Sequence, residues 1–161
     1  MLQTLRTWVE IDAKALRHNA EQFFRLIPKE TRLMAVIKSN AYGHGLVQVA
    51  KELLCLRIFR ERGWFGVDSI TEALCLRRNG IGEPILVLGY TLPVYFQDAV
   101  QHKITLTIST FDNLAHLAMC EIHPRLHLKI DTGMHRQGFL PSQIPELLSA
   151  DRKSTRLNSS H

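Results

Sequence analysis

Apolar residues along this chain follow two alternating patterns. Short runs of β-branched and aromatic residues, typical of strands, are separated by segments in which apolar residues recur at helical spacing. A first short strand is predicted at residues 7–11, where Trp8, Val9 and Ile11 are strand formers. Five further strand candidates follow. They are predicted at 31–37, 64–67, 85–88, 104–108 and 125–130.

Helix boundaries are marked by residues that satisfy free backbone groups. Asp12 is a predicted N-cap for the first helix. Ser69 and Glu72 have the spacing of a capping box, and Asn79-Gly80 is a helix C-terminal signal. Segment 57–62 is charged and irregular, and no helix is predicted there. Further helices are predicted from about Leu46, from Pro93, after Ser109 or Thr110, and from Pro141.

Strands that alternate with helices predict βαβ units and a parallel sheet. An open doubly wound sheet and a closed barrel both fit this rhythm. No glycine-rich dinucleotide fingerprint or phosphate loop follows any strand, which removes the best marker of a nucleotide-binding sheet. A (β/α)8 barrel takes about 250 residues, so this chain of 161 residues holds barely more than half of one.

Composition places the chain among ordinary globular proteins, with 45% hydrophobic and 22% charged residues. No run is long and apolar enough to span a membrane, and the first ten residues lack the layout of a signal peptide. The three cysteines form no close pairs, which predicts reduced thiols and a cytoplasmic location. The net charge of +5 is weak support for nucleic-acid binding, because the tail at 151–161 alone contributes three basic residues and one acidic residue. The basic cluster of Arg57, Arg60 and Arg62 is interpreted as a solvated face.

Chemistry is concentrated where the strand at 31–37 ends. Lys38 stands at its carboxyl end, followed by a turn with Tyr42, Gly43 and Gly45. Burial disfavours the charged form of a lysine, and a neutral amine is a nucleophile that forms a Schiff base with an aldehyde. The alternative is a lysine that extends to solvent at a strand end. His44 is interpreted as a residue that braces the turn rather than as a base.

The run VIKSNAYGHG, residues 36–45, resembles the cofactor-lysine signature of alanine racemases, which use pyridoxal 5'-phosphate (PLP). The resemblance implies a TIM-type (β/α)8 barrel of which about five strands are present. It also implies that Lys38 binds PLP covalently and acts as a catalytic acid or base. By the same resemblance, Tyr42 contacts the cofactor phosphate.

A second run, HLKIDTGMHRQGF at residues 127–139, resembles the other signature of that domain. The resemblance implies that Arg136 binds a carboxylate or the phenolate oxygen of the cofactor. It marks Lys129 as a position that is carbamylated in several members, where the carbamate braces the arginine. A salt bridge of Lys129 with Asp131 is the alternative. His135 departs from the family, which usually has a glycine there.

No metal site is predicted. His123 and His127 are four residues apart, but Pro124 and the strand pattern argue against a helix, and along a strand such residues lie more than about 10 Å apart.

The resemblance covers residues 5–149 and implies how this segment relates to a whole enzyme. Residues 1–150 are interpreted as the N-terminal portion of the PLP-binding barrel domain, with a C-terminal β domain absent. The tail at 151–161 is similar to the translation of a common sequencing-library adapter, and the alternative is a disordered polar terminus. In the parent enzyme, a homodimer, the second base is a tyrosine of the partner subunit, and another arginine faces the pyridine nitrogen.

The expected function of the parent is therefore the two-base interconversion of L- and D-alanine, which supplies D-alanine to peptidoglycan. The chain alone is expected to have little or no activity. No nucleic-acid or membrane partner is expected. Three alternatives stay open: a non-catalytic PLP carrier of the same fold, a serine or broad-specificity racemase, and a nucleic-acid-binding domain.

Overall fold

The computed structural model describes residues 6–120 and 124–155, with 150–155 as backbone only. Five strands alternate with helices along these residues, as the sequence pattern predicts. The strands are β1 (Leu33–Val36), β2 (Gly63–Val67), β3 (Ile85–Val87), β4 (Ile104–Ile108) and β5 (Leu126–Leu128). The helices are α1 (Ala13–Leu26), α2 (Lys38–Tyr42), α3 (Leu46–Leu54), α4 (Arg57–Arg62), α5 (Ile70–Arg78), α6 (Phe96–Gln101), α7 (Phe111–Met119) and α8 (Ile144–Thr155), with 3₁₀ turns at Pro93–Tyr95 and Pro141–Gln143.

All five strands form one parallel sheet in the order β1-β2-β3-β4-β5. Each strand pairs with the next one in the sequence, as in Ala35 with Phe65 and Leu106 with Leu126. Because the strands are parallel, their carboxyl ends lie at the same edge of the sheet. Residues that directly follow the strands are therefore brought together there.

The core lies between the sheet and the helices that follow each strand. The three central strands are almost wholly buried, whereas β1 is half-buried and β5 is exposed. β1 is only half-buried because it lies at an edge of the sheet and pairs with β2 alone. The largest fully buried side chains are Phe59, Phe65, Phe96, Phe139, Leu76, Ile85, Ile104, Leu106, Ile108 and Leu147.

Two sequence-based expectations about local structure were wrong. Residues 7–11 form no strand, and Trp8 and Val9 are exposed there because no neighbouring strand accepts their backbone hydrogen bonds. Segment 57–62 is helix α4 rather than an irregular connection. Phe59 is its anchor, since this side chain is fully buried and its ring lies 5.1 Å from that of Phe65.

The predicted helix N-caps are confirmed, but the capping box of Ser69 and Glu72 forms in one direction only. The side chain of Asp12 accepts hydrogen bonds from two amides of α1, and Thr110 rather than Ser109 caps α7. Ser69 caps α5 by accepting from the backbone N–H of Glu72 at 3.3 Å, and Asn79 follows its last residue. Among the described residues, no helix has both the length and the apolar character that a membrane crossing requires.

Candidate active site

Lys38 is fixed at the carboxyl edge of the sheet by the strand that precedes it. Ile37 is buried, and its N–H donates to the carbonyl of Gly66 at 2.8 Å, which extends the pairing of β1 with β2 by one residue. Lys38 comes next, with 32% of its side chain exposed. Its Nζ lies 3.4 Å from Oδ1 of Asp68, the residue that follows β2.

The backbone after Lys38 is left-handed, and residues 37–45 are called here the lysine turn. Four consecutive residues other than glycine have φ between 53° and 55°, from Ser39 to Tyr42. This conformation costs about 1–2 kcal/mol for each residue that has a Cβ, so contacts elsewhere must stabilise it. Gly43 and Gly45 continue the turn at φ 91° and 95°, values that glycine adopts without strain.

Hydrogen bonds within the lysine turn join it to the start of α3. The N–H of Ala41 donates to the carbonyl of Ile37 at 2.8 Å. The side-chain Oδ1 of Asn40 accepts from the N–H of Leu46 at 2.9 Å and so satisfies a free amide at the beginning of α3. His44 contacts the carbonyl of Ala41 through Nδ1 at 2.9 Å. That contact agrees with the interpretation of His44 as a residue that braces the turn.

The second signature folds into a compact turn after β5, the strand at the opposite side of the sheet from β1. Residues 131–136 are called here the aspartate turn. Oδ1 of Asp131 accepts hydrogen bonds from the N–H groups of Gly133 and His135, both at 3.0 Å. Both bonds stabilise the charged carboxylate and so lower the pKa of Asp131 below its usual value. The bond from Gly133 has the larger effect. The predicted alternative, a salt bridge of Asp131 with Lys129, is not formed.

Gly138 closes the aspartate turn against β5. The backbone of Phe139 pairs with that of Lys129 and Asp131 through two hydrogen bonds of 2.8 Å. A Cβ at Gly138, whose φ is 126°, would lie 2.7 Å from the N of Asp131. Only glycine allows this approach, which sets where the preceding Arg136 leaves the turn.

The two signatures meet in one cavity of about 680 Å³ at the carboxyl edge of the sheet. Its lining includes Lys38 from the end of β1 and, from the segment that follows β5, Lys129 and Arg136. Such a volume is ordinary for a small-molecule site. The side chain of Tyr42, 63% exposed, is not part of this lining. The structure thus brings three of the four predicted site residues together.

Sequence reasoning missed four polar residues of the same cavity, of which two, Asp68 and His127, are ionisable. Asp68 directly follows β2, so the rule that strand ends meet at one edge was a signal that pointed to it. His127 lies in β5, and its ring lies 6.0 Å from that of Trp64. The charged lining comprises two lysines and one arginine against one carboxylate, an arrangement that attracts an anion.

Metal ligands are not gathered in this region. Within 6–120 and 124–155 no group of three or more histidine, cysteine or acidic side chains is arranged to bind a metal ion. His123, one half of the histidine pair considered from the sequence, lies outside the described residues.

Comparison with known proteins decides the family. The family model for alanine racemase, N-terminal domain, matches residues 11–160. This chain belongs to the alanine racemase N-terminal domain family. The match agrees with the resemblance of both signatures. It runs beyond residue 150, and the interpretation of residues 151–161 as a non-native tail stays a prediction.

Members of the family are similar to this chain in both sequence and fold. The alanine racemase of Geobacillus stearothermophilus is 44% identical over 135 residues, which are 82% of this chain and 34% of that protein. An amino-acid racemase of Enterococcus faecalis is 41% identical over 133 residues, or 83% of this chain and 18% of that protein. The solved alanine racemase of Clostridium difficile 630 superposes with a TM-score of 0.81 at 34% identity, covering 92% of this chain and 40% of that one.

Membership of the alanine racemase family confirms the predicted fold class. The five parallel strands are the N-terminal part of the TIM-type barrel of these racemases. The choice between an open doubly wound sheet and a barrel, which the strand pattern left undecided, is thereby made. The chain spans no more than about two fifths of the length of each of these three relatives.

Proposed function

We propose that this chain is the PLP-binding portion of a PLP-dependent alanine racemase of the cytoplasm. The observation that carries the proposal is the cavity shared by Lys38 and Arg136, which come from opposite ends of the sheet. An amine nucleophile and a guanidinium fork that line the same cavity suit a ligand with an aldehyde and anionic oxygens. The family to which the chain belongs supports the same assignment.

The donor set fits PLP. Lys38 would hold the cofactor through its amine, and Arg136 would bind its phenolate oxygen or the substrate carboxylate. Lys129, which lines the same cavity, would brace Arg136 if carbamylated, since a carbamate is an anion. Tyr42 would donate to the phosphate from the lysine turn, where its hydroxyl is accessible. When bound, PLP supplies an electron sink for the negative charge left at Cα as the α-proton leaves.

The residues of this chain account for one half of the proton transfer. The amine of Lys38, once released from the cofactor, would take or return the α-proton on one face of the substrate. Asp68 Oδ1, 3.4 Å from Nζ, would orient that amine. Racemisation also needs a base on the opposite face. We propose that it comes from the partner subunit of a homodimer of the full-length enzyme, which would supply D-alanine for peptidoglycan.

Substrate scope is the finer part of the proposal. Relatives are named both alanine racemase and amino-acid racemase, so a serine or broad-specificity racemase is the second candidate. A panel of amino acids tested on the full-length enzyme separates the two. A non-catalytic PLP carrier would bind PLP in the same cavity and racemise none of them.

The central test is to add PLP to the chain, reduce the adduct with borohydride and map the modified lysine by mass spectrometry. We expect the label on Lys38, and its complete loss in Lys38→Ala. Lys51→Ala, on helix α3, is the matched control and should label like the wild type. Reproducible labelling at another lysine in preference to Lys38 would overturn the proposal.

A second test concerns activity. The chain alone, loaded with PLP, is expected to convert L-alanine to D-alanine no faster than free PLP does, because it offers one base. The measurement is chiral chromatography of the alanine after incubation. Stereospecific racemisation by the purified chain would contradict this expectation.

A further inference from the structure

The carboxylate of Glu72 binds the backbone at two places near Lys38, one after β1 and one after β2. Its Oε2 accepts a hydrogen bond from the N–H of Asp68 at 2.8 Å. Its Oε1 accepts from the N–H of Asn40 at 3.3 Å. Asp68 follows β2, and Asn40 is in the lysine turn after β1, 32 positions from Glu72. One side chain thus fastens two backbone segments that are distant in sequence.

This arrangement differs from an ordinary capping box. In that motif the acidic side chain returns to the backbone N–H of the N-cap residue, here Ser69. Ser69 does accept from the N–H of Glu72, so the helix end is capped in one direction. The carboxylate of Glu72 does not bind Ser69: it accepts from Asp68, the residue before the N-cap, and from Asn40 in the lysine turn.

Each of the two bonds constrains Lys38 from a different side. Asn40 has φ 55° in the middle of the left-handed run, a conformation unfavourable for a residue with a Cβ. Binding its N–H to a charged acceptor stabilises that conformation two residues beyond Lys38. On the other side, the bond to the N–H of Asp68 fixes the backbone of the residue whose carboxylate contacts Nζ of Lys38.

We propose that Glu72 is a positioning residue: it holds the left-handed lysine turn and Asp68 together, and so sets the place of the Lys38 amine in the cavity. That the amine is the point of PLP attachment rests on the proposed function. The positioning itself is a property of the unloaded chain and can be measured without cofactor.

The test is Glu72→Gln, which preserves shape but replaces one acceptor oxygen by an NH₂ group that faces a backbone N–H. Ser69→Ala is the matched control, because it removes the cap of the same helix and leaves the carboxylate contacts in place. Amide hydrogen exchange of the unloaded chain is measured first. Of the amides of Asn40 and Asp68, the one that faces the new NH₂ group is expected to exchange about tenfold faster in Glu72→Gln, as for a lost bond to a charged group. Both are expected to exchange at the wild-type rate in Ser69→Ala.

PLP labelling of Lys38 is measured second. The PLP concentration for half-maximal labelling is expected to rise about tenfold in Glu72→Gln and to stay unchanged in Ser69→Ala. Equal far-ultraviolet circular dichroism of the three proteins ensures that folded states are compared. Unchanged exchange at Asn40 and Asp68, or unchanged labelling, would overturn the positioning role. Failure of the wild type itself to label would count against the proposed function, and the exchange result would still decide the role of Glu72.

Discussion

The lysine turn and the aspartate turn do the same task by different means. Each follows a strand segment and directs a cationic side chain into the cavity at the carboxyl edge of the sheet. The aspartate turn is held by its own first residue, since Asp131 accepts from amides two and four residues further on. The lysine turn is held in part from outside, by Glu72 of helix α5. A local motif thus holds one wall of the site, and a tertiary contact helps to hold the other.

This difference has a consequence for stability. The stability of a turn closed by its own side chain depends on the protonation state of that side chain and on the packing of residues a few positions away. A turn closed by a distant helix is coupled to the packing of that helix on the sheet. Changes inside the aspartate turn should therefore affect stability directly, whereas changes in the lysine turn should affect the reactivity of Lys38 more than the fold.

The largest stability effect is expected for Gly138→Ala. The new methyl group would lie 2.7 Å from the N of Asp131 and 3.0 Å from the carbonyl oxygen of Lys129, and backbone atoms cannot rotate away. We expect a loss of about 2–3 kcal/mol in the free energy of unfolding, measured by urea denaturation. The control is Gly133→Ala, where no atom lies within 4 Å of the new Cβ. If both variants lose the same amount, crowding at Gly138 is not the cause.

Asp131→Asn tests the charge within the aspartate turn. The pKa of Asp131 is lowered in the folded chain, chiefly by the N–H of Gly133, so the ionised carboxylate stabilises the fold. This contribution is fully present above the ordinary aspartate pKa of about 4 and is lost as the pH falls through the lower folded pKa. We expect the wild type to be more stable than Asp131→Asn at neutral pH and the two to converge in acid. A stability difference that is independent of pH would contradict the role of the charge.

Tyr42→Phe tests the lysine turn without disturbing its backbone. Because the side chain is 63% exposed, the free energy of unfolding is expected to change by less than about 0.5 kcal/mol. Loss of one hydrogen bond to a phosphate should raise the PLP concentration for half-maximal labelling of Lys38 by about tenfold. Unaltered labelling would remove Tyr42 from the cofactor-binding residues.

The contrast between the turns also explains what the sequence could and could not predict. All five observed strands agree with their predicted positions to within two residues, and both signatures could be interpreted locally, because apolar runs and turn residues act over a few positions. The capping-box spacing of Ser69 and Glu72 was visible, but the destination of the Glu72 carboxylate was not. That contact depends on the parallel pairing of β1 with β2, which brings together residues 32 apart. Helix α4 was missed for a similar reason, since its anchor Phe59 packs against distant rings.

A small gain in stability is expected for glycine at the exposed left-handed residues of the two turns, His135→Gly and Ser39→Gly. Both residues have φ near 50°, at 52° and 53°. Glycine removes the strain of a Cβ but loses more conformational entropy on folding, and the balance is a gain of about 0.5–1 kcal/mol. Thermal unfolding of the two variants beside the wild type measures it. The gain should appear at His135, where the left-handed residue is isolated. At Ser39 the gain in stability should be smaller. The three left-handed residues that follow keep their own backbone strain, and a glycine there makes the turn beside Lys38 more flexible. A loss of stability in His135→Gly would mean that the imidazole, through its attraction to the Asp131 carboxylate, contributes more than the strain of its backbone costs.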